Sequence, residues 1–329
     1  MSRAVTGPAV VICTYSEGRW NDLVQAIESI QRQTLPAQDL MVVVDHNPVL
    51  LARLRHEFPS LTAIENWQAP GLSGARNAGL ASTNASVIAF LDDDASAAPD
   101  WLERLEAGYQ DARVLGVGGA VEPVWQGGRP AWFPPEFDWV VGCSYPGLPE
   151  VAGDVRNLLG CNMSFRREVF EQIGDFQIGI GRIGTYPAGC EETELCIRAR
   201  RAWPGRFFLY DPQVRVSHQV PASRGTWKYY RSRCYAEGLS KAAVTQFVGS
   251  TDGLASERRH ALRTLPRAVA KDLADAARHG DLGGLARAGA IVAGLGFATA
   301  GFLSGRWAQR KWGPSVATEP EPDSEGLGA

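Results

Sequence analysis

No Cys-x-x-Cys pair occurs in this 329-residue chain, and its six cysteines (Cys13, Cys143, Cys161, Cys190, Cys196 and Cys234) are scattered. That pattern offers neither a zinc cluster nor a disulfide framework, and it fits a reducing cytoplasm. The opening MSRAVTGPAVVICTY lacks the long apolar core of a secretory leader. A strong basic excess is also missing. The formal net charge is −3, which argues against a dedicated nucleic-acid binder.

What is present is an ordinary globular composition, 45% hydrophobic and 21% charged. The charge is unevenly spread. Residues 1–220 carry 18 basic and 26 acidic side chains, a net of −8, whereas residues 221–311 carry 15 and 6, a net of +9. A basic C-terminal third on an acidic body suggests a surface facing phosphates or anionic lipid. Three segments are therefore expected: an α/β body over 1–220, a basic helical extension over 221–311, and a disordered Pro/Glu-rich tail over 312–329.

Short β-branched runs alternate with helical spacings along the body. AVVICTY, LMVVVD, SLTAIE and ASVIAFLD read as strands. Helices are expected from Asn21 to Gln33 and in VLLARLRHEF, GLSGARNAGLAST and PDWLERLEAGYQ. Continuous apolar strands between helices predict a mostly parallel, doubly wound α/β sheet. Ligands of such sheets sit beyond the carboxyl ends of the strands, a rim that would hold Tyr15, Asp45 and Asp92 to Asp94. From 122 to 160 the pattern becomes irregular and aromatic, as in loops that line a groove. Regular elements resume with GCNMSFRREVFEQIG, CEETELCIRARRAW and RFFLYDPQVRVSHQV, then further helices.

One run, Ala288 to Gly305, carries no charge. It reaches the lower length limit of a membrane span, but five of its residues are glycine. A helix on the membrane surface, or one packed in the protein, is the expectation, with flanking basic helices suited to anionic lipid.

Three consecutive acids, Asp92, Asp93 and Asp94, close the fourth strand. Like charges so close repel unless a divalent cation sits among them or a ligand donates to them. Magnesium or manganese holding a diphosphate is the commonest such case. Asp45 ends the second strand on the same rim, placed for a ribose hydroxyl or base edge. Arg76, just inside a helix N-terminus, suits a phosphate or base.

VICTYSE, VVVDHNP, GLSGARNAGLA, FLDDDASAAPDWL, GCNMSFRREVFEQIGDF and GCEETELCIRARRAW resemble, in order, the motifs of glycosyltransferase family 2. The resemblance covers roughly residues 8–245. It implies a GT-A fold and inverting sugar transfer from a nucleoside-diphosphate sugar, assisted by Mn2+ or Mg2+. By that match Thr14, Tyr15 and Glu17 lie in the first nucleotide-contacting loop, Asp45 binds the nucleoside, and Arg76 approaches the nucleotide. Asp92 and Asp94 become metal-binding residues, Asp93 adds donor contacts, and His218 reaches the metal. Glu192 takes the place of the family's usual aspartate base, with Glu191 the second candidate. Adjacent helical residues point about 100° apart, so the two cannot face the acceptor alike.

The Gln-x-x-Arg-Trp motif of processive members is absent. Transfer of one sugar is expected, to a lipid-linked or saccharide acceptor of the cell envelope, at the inner face of the membrane. Arg231, Arg233 and Lys241 suit a diphosphate or an acceptor phosphate. Hexose choice would rest on the 122–160 loop and the stretch from Arg182 to Pro187. Three rivals stand: a soluble enzyme glycosylating a small molecule, a non-catalytic sugar-nucleotide binder, and a nucleotidyltransferase.

Overall fold

Strand β1 (Ala9–Thr14) has apolar side chains on both faces: Val10 and Ile12 enter one buried cluster and Val11 another. Such a strand needs cover on both sides. Its parallel neighbours β2 (Leu40–Val44) and β4 (Val87–Asp92) repeat the pattern, and β3 (Thr62–Glu65) completes this half. Helices α1 (Trp20–Gln31), α2 (Pro48–Glu57) and α4 (Trp101–Gly108) cover one face. The other face is covered by α3 (Leu72–Ala81), α5 (Arg167–Ile173) and α6 (Glu191–Ala202). This is a computed structural model that describes residues 7–181, 189–249 and 254–312. The stretch from Arg182 to Pro187 and the acidic tail lie outside the described residues.

The sheet runs β3-β2-β1-β4-β8-β6-β9-β5, with β7 (Gly153–Val155) against β9. The expectation of parallel strands applies to the first four. Beyond them β8 (Asn162–Arg166) lies antiparallel between β4 and β6 (Val114–Trp125). The aromatic excursion leaves β6 and returns into β8 at the same end of the sheet, a connection that needs no crossover helix. Strand β9 (Phe207–Val220) then pairs parallel with β6 and antiparallel with β5 (Ala95–Ala97).

The C-terminal helices pack on this body. α7 (Trp227–Val248) is followed by the helical turns Ala255–Arg259 and His260–Thr264, α8 (Leu265–His279) and α9 (Leu282–Trp312). Glycines let α9 approach α7 to backbone contact. A methyl group on Gly238 would stand 2.0 Å from the Ala298 carbonyl oxygen, and one on Gly301 2.0 Å from that of Tyr235. Gly301→Val should therefore lower unfolding free energy by about 1–3 kcal/mol in urea melts, as overpacked helix contacts do.

Candidate active site

Strands β1, β2 and β4 end on one rim, where the Asp45 backbone N–H donates to the Thr14 carbonyl at 2.7 Å. The Asp45 carboxylate is aimed by two neighbours: Asn66 Nδ2 donates to Oδ1 at 2.7 Å and the Gly71 N–H to Oδ2 at 2.8 Å. Gly71 has φ 111°, a conformation glycine adopts without a Cβ clash. Among the described residues only His46 and Cys190 are non-glycine residues with positive φ. They adjoin Asp45 and Glu191, so the unusual backbone falls beside the site.

The three aspartates diverge. Asp93 is buried, accepting from Thr14 Oγ1 at 2.7 Å and from Arg19 Nη1 at 2.7 Å. Both oxygens are thus engaged inside the protein, where donor contacts were expected. Burial pushes its carboxyl up to about 6, against the pull of Arg19. Asp94 meets His218 Nε2 at 3.1 Å, Arg224 Nη2 at 3.1 Å and Arg19 Nη1 at 3.4 Å. Burial opposes its ionisation, but these three groups outweigh it and hold the carboxyl well below the usual range. Asp92 is the open one, its side chain 31% exposed.

Strand register delivers the imidazole. β5 pairs with β9 so that Ala95 lies opposite His218, and the Gln219 N–H donates to the Asp94 carbonyl at 2.8 Å. One ligand atom each from Asp92, Asp94 and His218 lie within 4.8 Å of one another. Two carboxylates and an imidazole at that spacing fit a divalent transition ion such as manganese.

Arg76, buried in the first turns of α3, joins this cluster to α6. Its Nη1 donates to Glu191 Oε1 at 2.6 Å, and Nη2 to the Gly160 carbonyl at 2.9 Å and Asp92 Oδ1 at 3.4 Å. Glu191 is therefore tied. Glu192, half-buried on the cavity wall, is raised to about 7 by burial and by the neighbouring charge of Glu191, with Lys241 pulling the other way. Arg76→Met should cost about 3 kcal/mol in denaturant melts, because Glu191 stays buried without its partner. Adding Glu191→Gln should restore most of that loss.

One cavity of about 520 Å³ is lined by Thr14, Tyr15, Asp45, Arg76, the three aspartates, Glu191, Glu192 and His218. Glu17 is exposed and does not line it. The aromatic excursion contributes Phe137, Trp139 and Tyr145 to the wall. Arg19, Arg224 and Asn66 went unremarked in the sequence, although Arg19 follows the VICTYSE motif by two residues. Arg231 is exposed, and Arg233 and Lys241 are buried.

A sheet of this order with acids and an imidazole at its carboxyl rim defines a GT-A-type glycosyltransferase. The profile for "Glycosyl transferase family 2" matches residues 9–174. Glucosyl-dolichyl phosphate glucuronosyltransferase of Haloferax volcanii is 35% identical over 240 residues, 72% of this chain and 76% of that one. The succinoglycan biosynthesis protein ExoM of Rhizobium meliloti is 27% identical over 77% of this chain and 76% of its own. The chain belongs to glycosyltransferase family 2 and is a glycosyltransferase. Mannosyltransferase PcManGT from Pyrobaculum calidifontis, solved with GDP-Man and Mn2+, shares the fold. Its TM-score is 0.55 at 18% identity, over 94% of this chain and 88% of that one. GalNAc-T7, solved with UDP, GalNAc and Mn2+, aligns at TM-score 0.51 and 19% identity over 79% of this chain but 55% of its own.

Proposed function

We propose that the enzyme is a metal-dependent, inverting, non-processive transferase. It moves one sugar from a nucleoside-diphosphate donor to a hydroxyl of a lipid-linked or saccharide acceptor. The carrying observation is the Arg76 guanidinium, which contacts both Asp92 and Glu191 and so keeps the diphosphate end and the base end in one cavity.

In this reading Asp92, Asp94 and His218 hold Mn2+ or Mg2+, which when bound neutralises charge on the departing diphosphate. Arg19 and Arg224 stand beside Asp94 and would meet the same phosphates. Asp45, fixed by Asn66 and Gly71, accepts from the nucleoside, with Thr14 and Tyr15 forming the floor of that pocket. Glu192 takes the proton from the acceptor hydroxyl, because Glu191 is held by Arg76 while Glu192 faces the cavity with a carboxyl near neutral. Screening nucleotide-sugars with Mn2+ for thermal stabilisation and donor hydrolysis tests the reading. If no nucleotide-sugar stabilises the protein in the presence of either cation, it fails.

We also propose that residues 1–220 form the donor-binding unit and that 221–311 bring it to a membrane. Support comes from α9, which is long and apolar enough to cross a bilayer yet has only 28% of its most apolar window buried. Away from α7 it exposes Val292 (64%), Leu303 (61%) and Trp307 (63%). A helix apolar on both its packed and its open faces is suited to lipid contact. The protein should co-sediment with phosphatidylglycerol vesicles. Replacing Val292, Leu303 and Trp307 by glutamate should release it, since each buried apolar side chain contributes roughly 2 kcal/mol.

A further inference from the structure

Past Glu192 the cavity continues between α7 and α9, and its chemistry changes along the way. First comes a charged zone. Arg156 grips Glu257 with both terminal nitrogens, at 2.6 and 2.8 Å. Lys241 Nζ lies 2.8 Å from Glu257 and 3.4 Å from Glu237, and Arg233 approaches Glu237 at 3.8 Å. This zone abuts the start of α6: the Cys190 thiol lies 3.4 Å from Glu237, and the Gly189 N–H donates to Ser240 at 3.2 Å. Then comes carbon. Gly238, one residue from Glu237, touches α9 at Ala298, and from there Leu295, Ala298, Thr299 and Phe302 form the wall.

We propose that this half of the cavity is the acceptor site, and that the acceptor is a sugar carried on a phosphate-bearing isoprenoid-type lipid. The lipid's phosphate would lie among Arg156, Arg233 and Lys241, and its chain would run along Leu295, Ala298, Thr299 and Phe302. The proposal rests on the glycosyltransferase reading of the donor half, and it names the acceptor class for that same cavity. Three observations carry it. The bidentate grip of Arg156 on Glu257, shared with Lys241, is the geometry in which guanidinium and ammonium groups hold an oxyanion. A carbon wall directly beside buried cations complements an amphiphile, whereas a free sugar phosphate would leave that wall facing water. The wall belongs to α9, the helix whose other face is exposed and apolar, so a chain lying in the cavity continues toward the surface proposed to meet lipid. Glu192 stands where the charged zone meets the donor half, so the sugar ahead of the lipid phosphate would present its hydroxyl to the base.

The test uses the full chain in detergent with farnesyl phosphate as the probe, and farnesol and inorganic phosphate as controls. Binding of Mn2+ with a panel of nucleoside diphosphates is measured in parallel. Farnesyl phosphate should bind at least about tenfold more tightly than either control, the factor that a charge-assisted contact of ~1.5 kcal/mol supplies. Lys241→Gln should remove about that factor for farnesyl phosphate and leave farnesol unchanged. Thr299→Trp, at an exposed groove position that tolerates bulk, should weaken farnesyl phosphate and farnesol together. Both variants should keep the parent's affinity for the nucleoside diphosphate with Mn2+. Farnesyl phosphate binding no tighter than farnesol overturns the phosphate subsite, and binding indifferent to Thr299→Trp overturns the groove. Either result alongside intact nucleotide binding rejects the acceptor site alone. A parent that binds no nucleoside diphosphate with Mn2+ rejects the donor reading, and the acceptor role with it.

Discussion

Asp94→Asn is expected to lower kcat/KM for sugar transfer by about a thousandfold or more, and to abolish Mn2+ binding in the same preparation. Asp94 is the convergence point of His218, Arg224 and Arg19, and it is buried, so water cannot replace its charge. Those three groups hold the carboxyl far below its ordinary range. It is therefore ionised at any working pH, and metal binding does not wait on its titration. An amide of the same size removes the charge and one ligand oxygen while keeping most packing. Charge stabilisation of this kind on a departing diphosphate supplies several kcal/mol, which sets the thousandfold scale. Asp93→Asn gives the contrast. Its oxygens serve Thr14 and Arg19, so it should lower stability more than Mn2+ affinity. Binding is read by manganese titration and activity by product formation. An Asp94→Asn protein that binds Mn2+ as the parent does would remove the metal site from this reading.

Glu192→Gln is expected to lower kcat by roughly 10²–10⁴, the usual contribution of a positioned general base, while leaving donor affinity unchanged. The pH profile of the parent carries the second half of the prediction. A base acts only when deprotonated, and the Glu192 carboxyl is raised to about 7 by burial and the Glu191 charge. Transfer should therefore fall about tenfold per pH unit below 7 and level off above it. In Glu192→Gln that limb should vanish. A residual rate that keeps the same limb would shift the role of base to Glu191. The Arg76–Glu191 contact of 2.6 Å argues against that shift, because an ionised carboxylate bound by a buried guanidinium is a poor proton acceptor.

The sequence by itself determined the doubly wound half of the fold and the acids at its rim. Alternating runs such as AVVICTY and LMVVVD bury both faces of a strand, and residues directly after such strands fall on the carboxyl edge whatever the rest of the chain does. Asp45, Asp92 and Asp94 were legible for that reason, and the order of short motifs added His218 and the Glu191–Glu192 pair. Tertiary structure alone decided which of these acids is free. Arg76 meets Glu191 across 115 residues and Arg224 meets Asp94 across 130, separations at which spacing along the chain carries no signal. It also turned Asp93 inward onto Thr14 and Arg19. The glycines of α9, which lower the run's suitability as a membrane span when read as composition, became in three dimensions the face that packs on α7 and leaves the leucine and tryptophan side open. Local periodicity reports burial and strand ends, whereas the pairing of charges depends on how distant elements are stacked.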